Sequence, residues 1–305
     1  MALLLTGAAF SAPGDVSTVR DAPILGISVA GSMVAATLDQ GAAECRHAEL
    51  WNAAANKATH LGKKVACDSP GGIRGPAIVG NRAVWATNVG GNLRDWTVWT
   101  ATTTSPAPKA LAKANGVDAS DPDPVVIGTA GDGLVAYAVG TAVTAIRANG
   151  STAWEWTAPA TVTLVGSGDA DPQGNDLTHV GTADGKAAGI DASGKVLYVG
   201  TTDGVNSLCL HKNVVMAMKG GSLLLPGSPP KLTPLPANAR LIGCYPDIAI
   251  YRVGTKVSGL RLSTGKTALL LTGTKVVAVS PKGLAWATGS TLHWRPLASA
   301  LKPLG

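Results

Sequence analysis

Apolar and polar positions along this chain group into short apolar phrases, each followed by Gly, Asp or Asn. One phrase recurs. It reads Met33-Val34-Ala35-Ala36-Thr37, then Ala83-Val84-Trp85-Ala86-Thr87, then Leu134-Val135-Ala136-Tyr137-Ala138. It returns as Val214-Val215-Met216-Ala217-Met218, Ile248-Ala249-Ile250-Tyr251-Arg252 and Leu284-Ala285-Trp286-Ala287-Thr288, with a degenerate copy, Leu177-Thr178-His179-Val180-Gly181-Thr182, between the third and fourth of these. Start-to-start spacings are 50, 51, 43, 37, 34 and 36 residues, the period of solenoids and propellers. Brief runs of β-branched and aromatic residues bounded by turn formers predict strands.

Around each phrase the pattern supplies three more strands. In the sixth repeat they are Ala239 to Cys244, Ile248 to Val253, Lys256 to Leu262 and Thr267 to Leu271, joined by Pro-Asp, Gly-Thr and Ser-Thr-Gly turns. The third repeat parses the same way, with Asn149-Gly150 as its last turn. Four short strands within about 35 residues make an up-and-down sheet, the blade of a propeller. The fold class is therefore all-β, a single propeller of seven four-stranded blades. The last repeat has three clear strands. Its fourth is either Ala298 to Pro303 or is donated by the N-terminal stretch Asp15 to Val19, which would close the ring and remove an exposed edge.

Composition fits that picture. Gly supplies 38 of 305 residues and charged residues only 14%, a chain of tight turns and buried strands. No stretch of 18 apolar residues spans a membrane as a helix. Residues 1–14 are read as a signal-peptide remnant or an unstructured terminus, since Met1 to Ser11 has the apolar body and small-residue end of a secretory signal. Residues 15–305 are the propeller. Cys45 and Cys67 lie symmetrically about Asn56, so a hairpin centred there sets them face to face for a disulfide. A disulfide needs an oxidising compartment, which points to a secreted or cell-envelope protein. Cys209 and Cys244 fall on the first strands of consecutive repeats, and sequence does not decide whether they pair.

The fourth repeat carries a family resemblance. Asp169-Ala170-Asp171-Pro172-Gln173-Gly174-Asn175-Asp176-Leu177 leads through Gly181-Thr182-Ala183-Asp184-Gly185 to Gly189-Ile190-Asp191-Ala192-Ser193-Gly194-Lys195-Val196-Leu197-Tyr198. Ala145 to Trp154 repeats the last part. These segments resemble the bacterial quinoprotein-like (PQQ-like) and FG-GAP propeller repeats over about a fifth of the chain. The resemblance implies a surface or secreted propeller used for recognition or assembly. It does not imply a bound quinone.

Candidate chemistry is sparse. Asp169, Asp171, Gln173 and Asp176 have the alternating spacing by which oxygen ligands gather Ca²⁺, and Ca²⁺ is the one cofactor the sequence suggests. The same Asp residues also suit a turn that caps its own amides. The histidines at 47, 60, 179, 211 and 293 show no pair at metal-ligand spacing, and no nucleophile elbow, zinc-protease motif or phosphate loop occurs. Trp85 and Trp286 are expected to pack blade against blade. Trp96, Trp99, Trp154 and Trp156 sit on outer strands, as packing or as a sugar-stacking surface.

Charge divides the chain. Residues 1–204 hold 13 Lys and Arg against 18 Asp and Glu; residues 205–305 hold 12 against 1. Such asymmetry suits an anionic ligand at Lys219, Lys256 and Lys275, or else lysines that guard turns and edges. Without interleaved stacking aromatics, specific nucleic-acid binding is not expected. The reading is a non-enzymatic, monomeric recognition or scaffold propeller for a protein or an anionic envelope polymer. The alternative is an extracellular hydrolase or lyase whose site is assembled from propeller-face loops.

Overall fold

The computed structural model describes residues 14–42, 44–67, 71–170, 176–201, 205–211, 214–219, 221–225, 231–245 and 247–305, with the backbone alone at 132, 167–170, 176, 198, 201, 205–211, 214–219, 224–225 and 231–232. Among the described residues the strands form seven sheets of four antiparallel strands each. In chain order they span Ile24–Leu61, Gly72–Asp118, Val125–Thr157, Val162–Thr201, Val205–Pro234 and Arg240–Leu271. The seventh joins Val276–Val279, Gly283–Thr288 and Thr291–Pro296 to the N-terminal strand Val16–Val19. The first strand of each sheet touches the first strands of its two neighbours, and that of the seventh touches that of the first, so the sheets form a closed ring. This is a β-propeller.

The recurring phrase is the second strand of every sheet. Leu134–Val139 shows why it is nearly all apolar: five of its six residues are buried, because a sheet stands on either side. One face of the third sheet (Ala136, Ala138, Val143, Ala145, Trp154) packs on Val162, Val165 and Val180 of the fourth. The opposite face (Val135, Tyr137, Ile146) packs on Val84, Ala86 and Trp96 of the second. Trp85 seals the first sheet to the second beside Leu50 and Leu61, and Trp286 packs against Ile250 and Leu270 of the sixth. Near the axis the sheets come closest. A Cβ on Gly128 would stand 2.1 Å from the Val165 carbonyl oxygen of the fourth sheet, so only glycine fits there.

The family-like segments owe their pattern to turn chemistry. Asn149 and Asp191 hold equivalent turns, and their Oδ1 atoms accept hydrogen bonds from the Ser151 and Ser193 amides at 2.9 and 2.8 Å.

Ring closure uses the N-terminal option. Val16 pairs with Trp294 and Val19 with Thr291, while residues 297–300 form a helical turn instead of a strand. Asp15 accepts two hydrogen bonds from Arg295, at 2.5 and 2.6 Å, at the start of this strand. At its other end the Arg20 amide bonds the Ser290 carbonyl at 2.8 Å and the chain passes directly into the first sheet.

One expected register is corrected. The first outer hairpin pairs Asn52 with Lys57 and Glu49 with His60, so it is centred between Ala54 and Ala55 rather than on Asn56. Asn56, a non-glycine residue with positive φ (47°), ends the turn, and the Ala55 amide bonds the Asn52 side chain at 3.2 Å. Cys45 and Cys67 meet nevertheless, with Cα atoms 4.7 Å apart in a disulfide. The ladder stops at Leu61, and Gly62, at φ 111°, takes the chain out of register so that the Cys45 amide bonds the Val65 carbonyl at 3.0 Å.

Candidate functional site

The outer hairpin of the first sheet builds the most unusual chemistry among the described residues. Strand alternation sends His47 and Glu49 to one face, and the register sets His60 opposite Glu49 on that same face. Glu44 approaches from the segment before the strand. Arg20 and Asp21 arrive from the link between the N-terminal strand and the first sheet. Glu44, His47 and Glu49 are all buried. Burial of so many ionisable groups requires partners, and most are present. Arg20 Nε donates to Glu49 Oε2 at 2.5 Å. His47 Nδ1 donates to the Cys45 carbonyl at 2.9 Å. His60 Nε2 bonds Glu44 Oε1, and the two imidazoles stack with centroids 4.7 Å apart. Three atoms remain buried without a hydrogen-bond partner: Glu44 Oε2, His47 Nε2 and His60 Nδ1.

The electrostatics follow from this packing. Burial pushes the Glu49 carboxyl up, but His47 and Arg20 outweigh it and hold its pKa at about 2. Burial pulls the His47 imidazole down, and Glu49, the Cys45 carbonyl and Glu44 together reverse this, so its pKa lies above the ordinary value.

Beside the cluster, between the first and second sheets, opens a cavity of about 650 Å³. Leu61, Trp85 and Trp99 form its apolar wall; Val65, Pro106 and Pro108 line it from the loops, and Glu44, Arg46, His47 and Lys63 supply its charged and polar lining. The two loops are tied together by the Gly62 amide, which bonds the Pro106 carbonyl at 2.9 Å. Trp99 is fixed by its indole N–H, which donates to Thr87 at 2.8 Å. Val65 is 57% exposed, a large apolar side chain left in solvent at the cavity. A smaller cavity of about 160 Å³ also reaches Glu44 and His47 and is lined by Asp21 and Lys64 among others.

Of the sequence-derived sites, the Cys45–Cys67 bridge is present and its segment lines the large cavity. Cys244 is disulfide-bonded, and Cys209 lies on a strand described by its backbone alone. Asp171 and Gln173 of the proposed Ca²⁺ loop lie outside the described residues, and Asp169 and Asp176 are described by backbone alone. Lys256 and Lys275 are exposed, and the Thr274 amide bonds the Thr255 carbonyl at 3.3 Å, which brings the two lysines' segments side by side. The Lys219 side chain lies outside the description. The acid–histidine cluster was missed because a hairpin centred on Asn56 puts Lys63, not His60, opposite Glu49.

No family model matches the chain, and no curated protein matches it by sequence, so the PQQ-like and FG-GAP resemblance gains no support there. Solved structures do match in fold. A chain of the Mitotic Checkpoint Complex is 13% identical with a TM-score of 0.58, covering 97% of this chain and 99% of that one. The Chaetomium thermophilum Raptor structure is 12% identical with a TM-score of 0.54, covering 93% of this chain and 29% of that one. Saccharomyces cerevisiae Sqt1 is 11% identical with a TM-score of 0.49, covering 93% and 99%. At these identities the likeness shows the propeller fold alone.

Proposed function

We propose that this chain is a seven-bladed propeller acting as a non-enzymatic interaction module, which seats an apolar segment of a protein partner between its first two blades. The observation that carries this is the 650 Å³ cavity with two tryptophans in its wall and an exposed valine beside it. An apolar anchor entering such a pocket is the usual centre of a protein–protein contact. The fold also serves in a multi-chain assembly, the Mitotic Checkpoint Complex. The acid–histidine cluster sits on outer strands, away from the inner strands that ring the axis, which does not favour a hydrolase or lyase built on face loops. The disulfide supports an oxidising compartment, and hence export, as the place of action.

Random peptides displayed on phage and selected on the protein test this reading. The selected peptides should share an apolar anchor, and Val65→Asp, an exposed change that leaves the wall intact, should weaken them about tenfold or more. Selected peptides that bind the Val65→Asp variant as tightly as the parent would sink the reading.

A further inference from the structure

We propose that His47, Glu49 and Asp21 form a binding site for one divalent cation of the zinc class, placed where the N-terminal segment meets the first sheet. The ligand atoms of these three residues lie within 4.8 Å of one another. His47 is oriented as a metal-bound histidine is: Nδ1–H donates to a backbone carbonyl, that of Cys45, which fixes the ring and turns the other nitrogen towards the site. That nitrogen, Nε2, has no hydrogen-bond partner although the His47 side chain is only 7% exposed. Glu49 is oriented in the same manner, because Arg20 occupies Oε2 and leaves Oε1 facing His47.

The spacing of these two atoms discriminates between occupants. His47 Nε2 and Glu49 Oε1 are 3.5 Å apart, beyond the range of a well-formed N–H···O bond. Two ligands held at 2.0–2.1 Å by a tetrahedral ion are separated by about 3.4 Å. The gap is thus wide for a shared proton and fits a small ion. Asp21, half-exposed, supplies the third carboxylate, and its present neighbour, Lys64 at 3.9 Å, is a loose surface pair. The 160 Å³ cavity lined by Asp21, Glu44 and His47 leaves a fourth position for water, whose share of liquid volume is about 30 Å³. Nitrogen plus oxygen donors at this spacing suit zinc better than calcium, which takes six to eight oxygens. The neighbouring group of Glu44, His47 and His60 is a poorer site. His60 already bonds Glu44, and the His47 and His60 rings stack within 11° of parallel, so their in-plane lone pairs do not converge on one point.

Zinc titrated into the full chain, followed by calorimetry and by competition with a chromophoric chelator, should give one equivalent bound. Cobalt in its place should show the visible absorption of a four-coordinate ion. His47→Gln should abolish binding, and Asp21→Asn, an exposed change that does not threaten the fold, should weaken it at least about tenfold. His60→Ala should leave affinity within about threefold. Absence of a one-to-one zinc complex at micromolar concentration would overturn the proposal. So would binding that survives Asp21→Asn but is lost in His60→Ala, which would move the ion to the stacked pair.

Discussion

The first and third sheets share one architecture and treat the same three positions in opposite ways. The register chain Ala36–Glu49–His60 in the first sheet corresponds to Tyr137–Thr144–Glu155 in the third, and Leu38–His47 to Val139–Ala142. Ala142 and Glu155 are exposed and Thr144 half-buried, whereas His47 and Glu49 are buried. The backbone does not impose the difference. In the first sheet the segment carrying Arg20 and Asp21 lies over this face, so the outer strands are covered where those of the third meet water. The ionic cluster therefore belongs to the ring-closure joint and not to the blade as such.

The most direct way to break this comparison is Arg20→Ala. It leaves the Glu49 charge buried without its nearest partner, and metal-free protein should lose about 3–5 kcal/mol in urea unfolding. A loss below about 1 kcal/mol would mean the joint is far wetter than its burial implies. Next in size is the disulfide. Replacing Cys45 and Cys67 by Ala opens a loop of 22 residues and should cost about 3 kcal/mol by the same measurement. It should also loosen the Cys45 carbonyl that holds His47, seen as earlier hydrogen exchange at residues 45–49. Arg20→Met with Glu49→Leu is expected to fall within about 1–2 kcal/mol of the parent, since removing both buried charges is far milder than removing one. That outcome would show that the ions are dispensable for folding. The smallest effect belongs to the third sheet, where Glu155→Ala should stay within about 0.5 kcal/mol.

These contrasts also explain what could be read from the chain alone. The propeller was legible because the second strands whose side chains are described are buried between neighbouring sheets, and the same apolar phrase marks the second strand of each sheet. The Cys45–Cys67 bridge was legible through a compensating error: the ladder is centred one and a half residues early, and the irregular turn at Gly62 restores the approach. The ionic cluster had no such luck. Its members lie at 20, 21, 44, 47, 49 and 60, and only the true hairpin register and the N-terminal strand's attachment to Thr291–Pro296 bring them together. Long-range pairing leaves little local trace in a sequence, whereas a strand's burial leaves a strong one.

The N-terminal strand has a consequence in time. Val16 finds its partner at Trp294, so during synthesis this strand waits while the residues of the six intervening sheets and most of the seventh are made. At about 5–20 residues per second the wait is roughly 15–55 s. Over that interval Arg20 and Asp21 lack the seventh sheet that anchors them, and the face bearing His47 and Glu49 is open to solvent. The joint is thus a latch that engages only after the other blades are made, and a nascent chain can present its acid–histidine face until Thr291–Pro296 arrives.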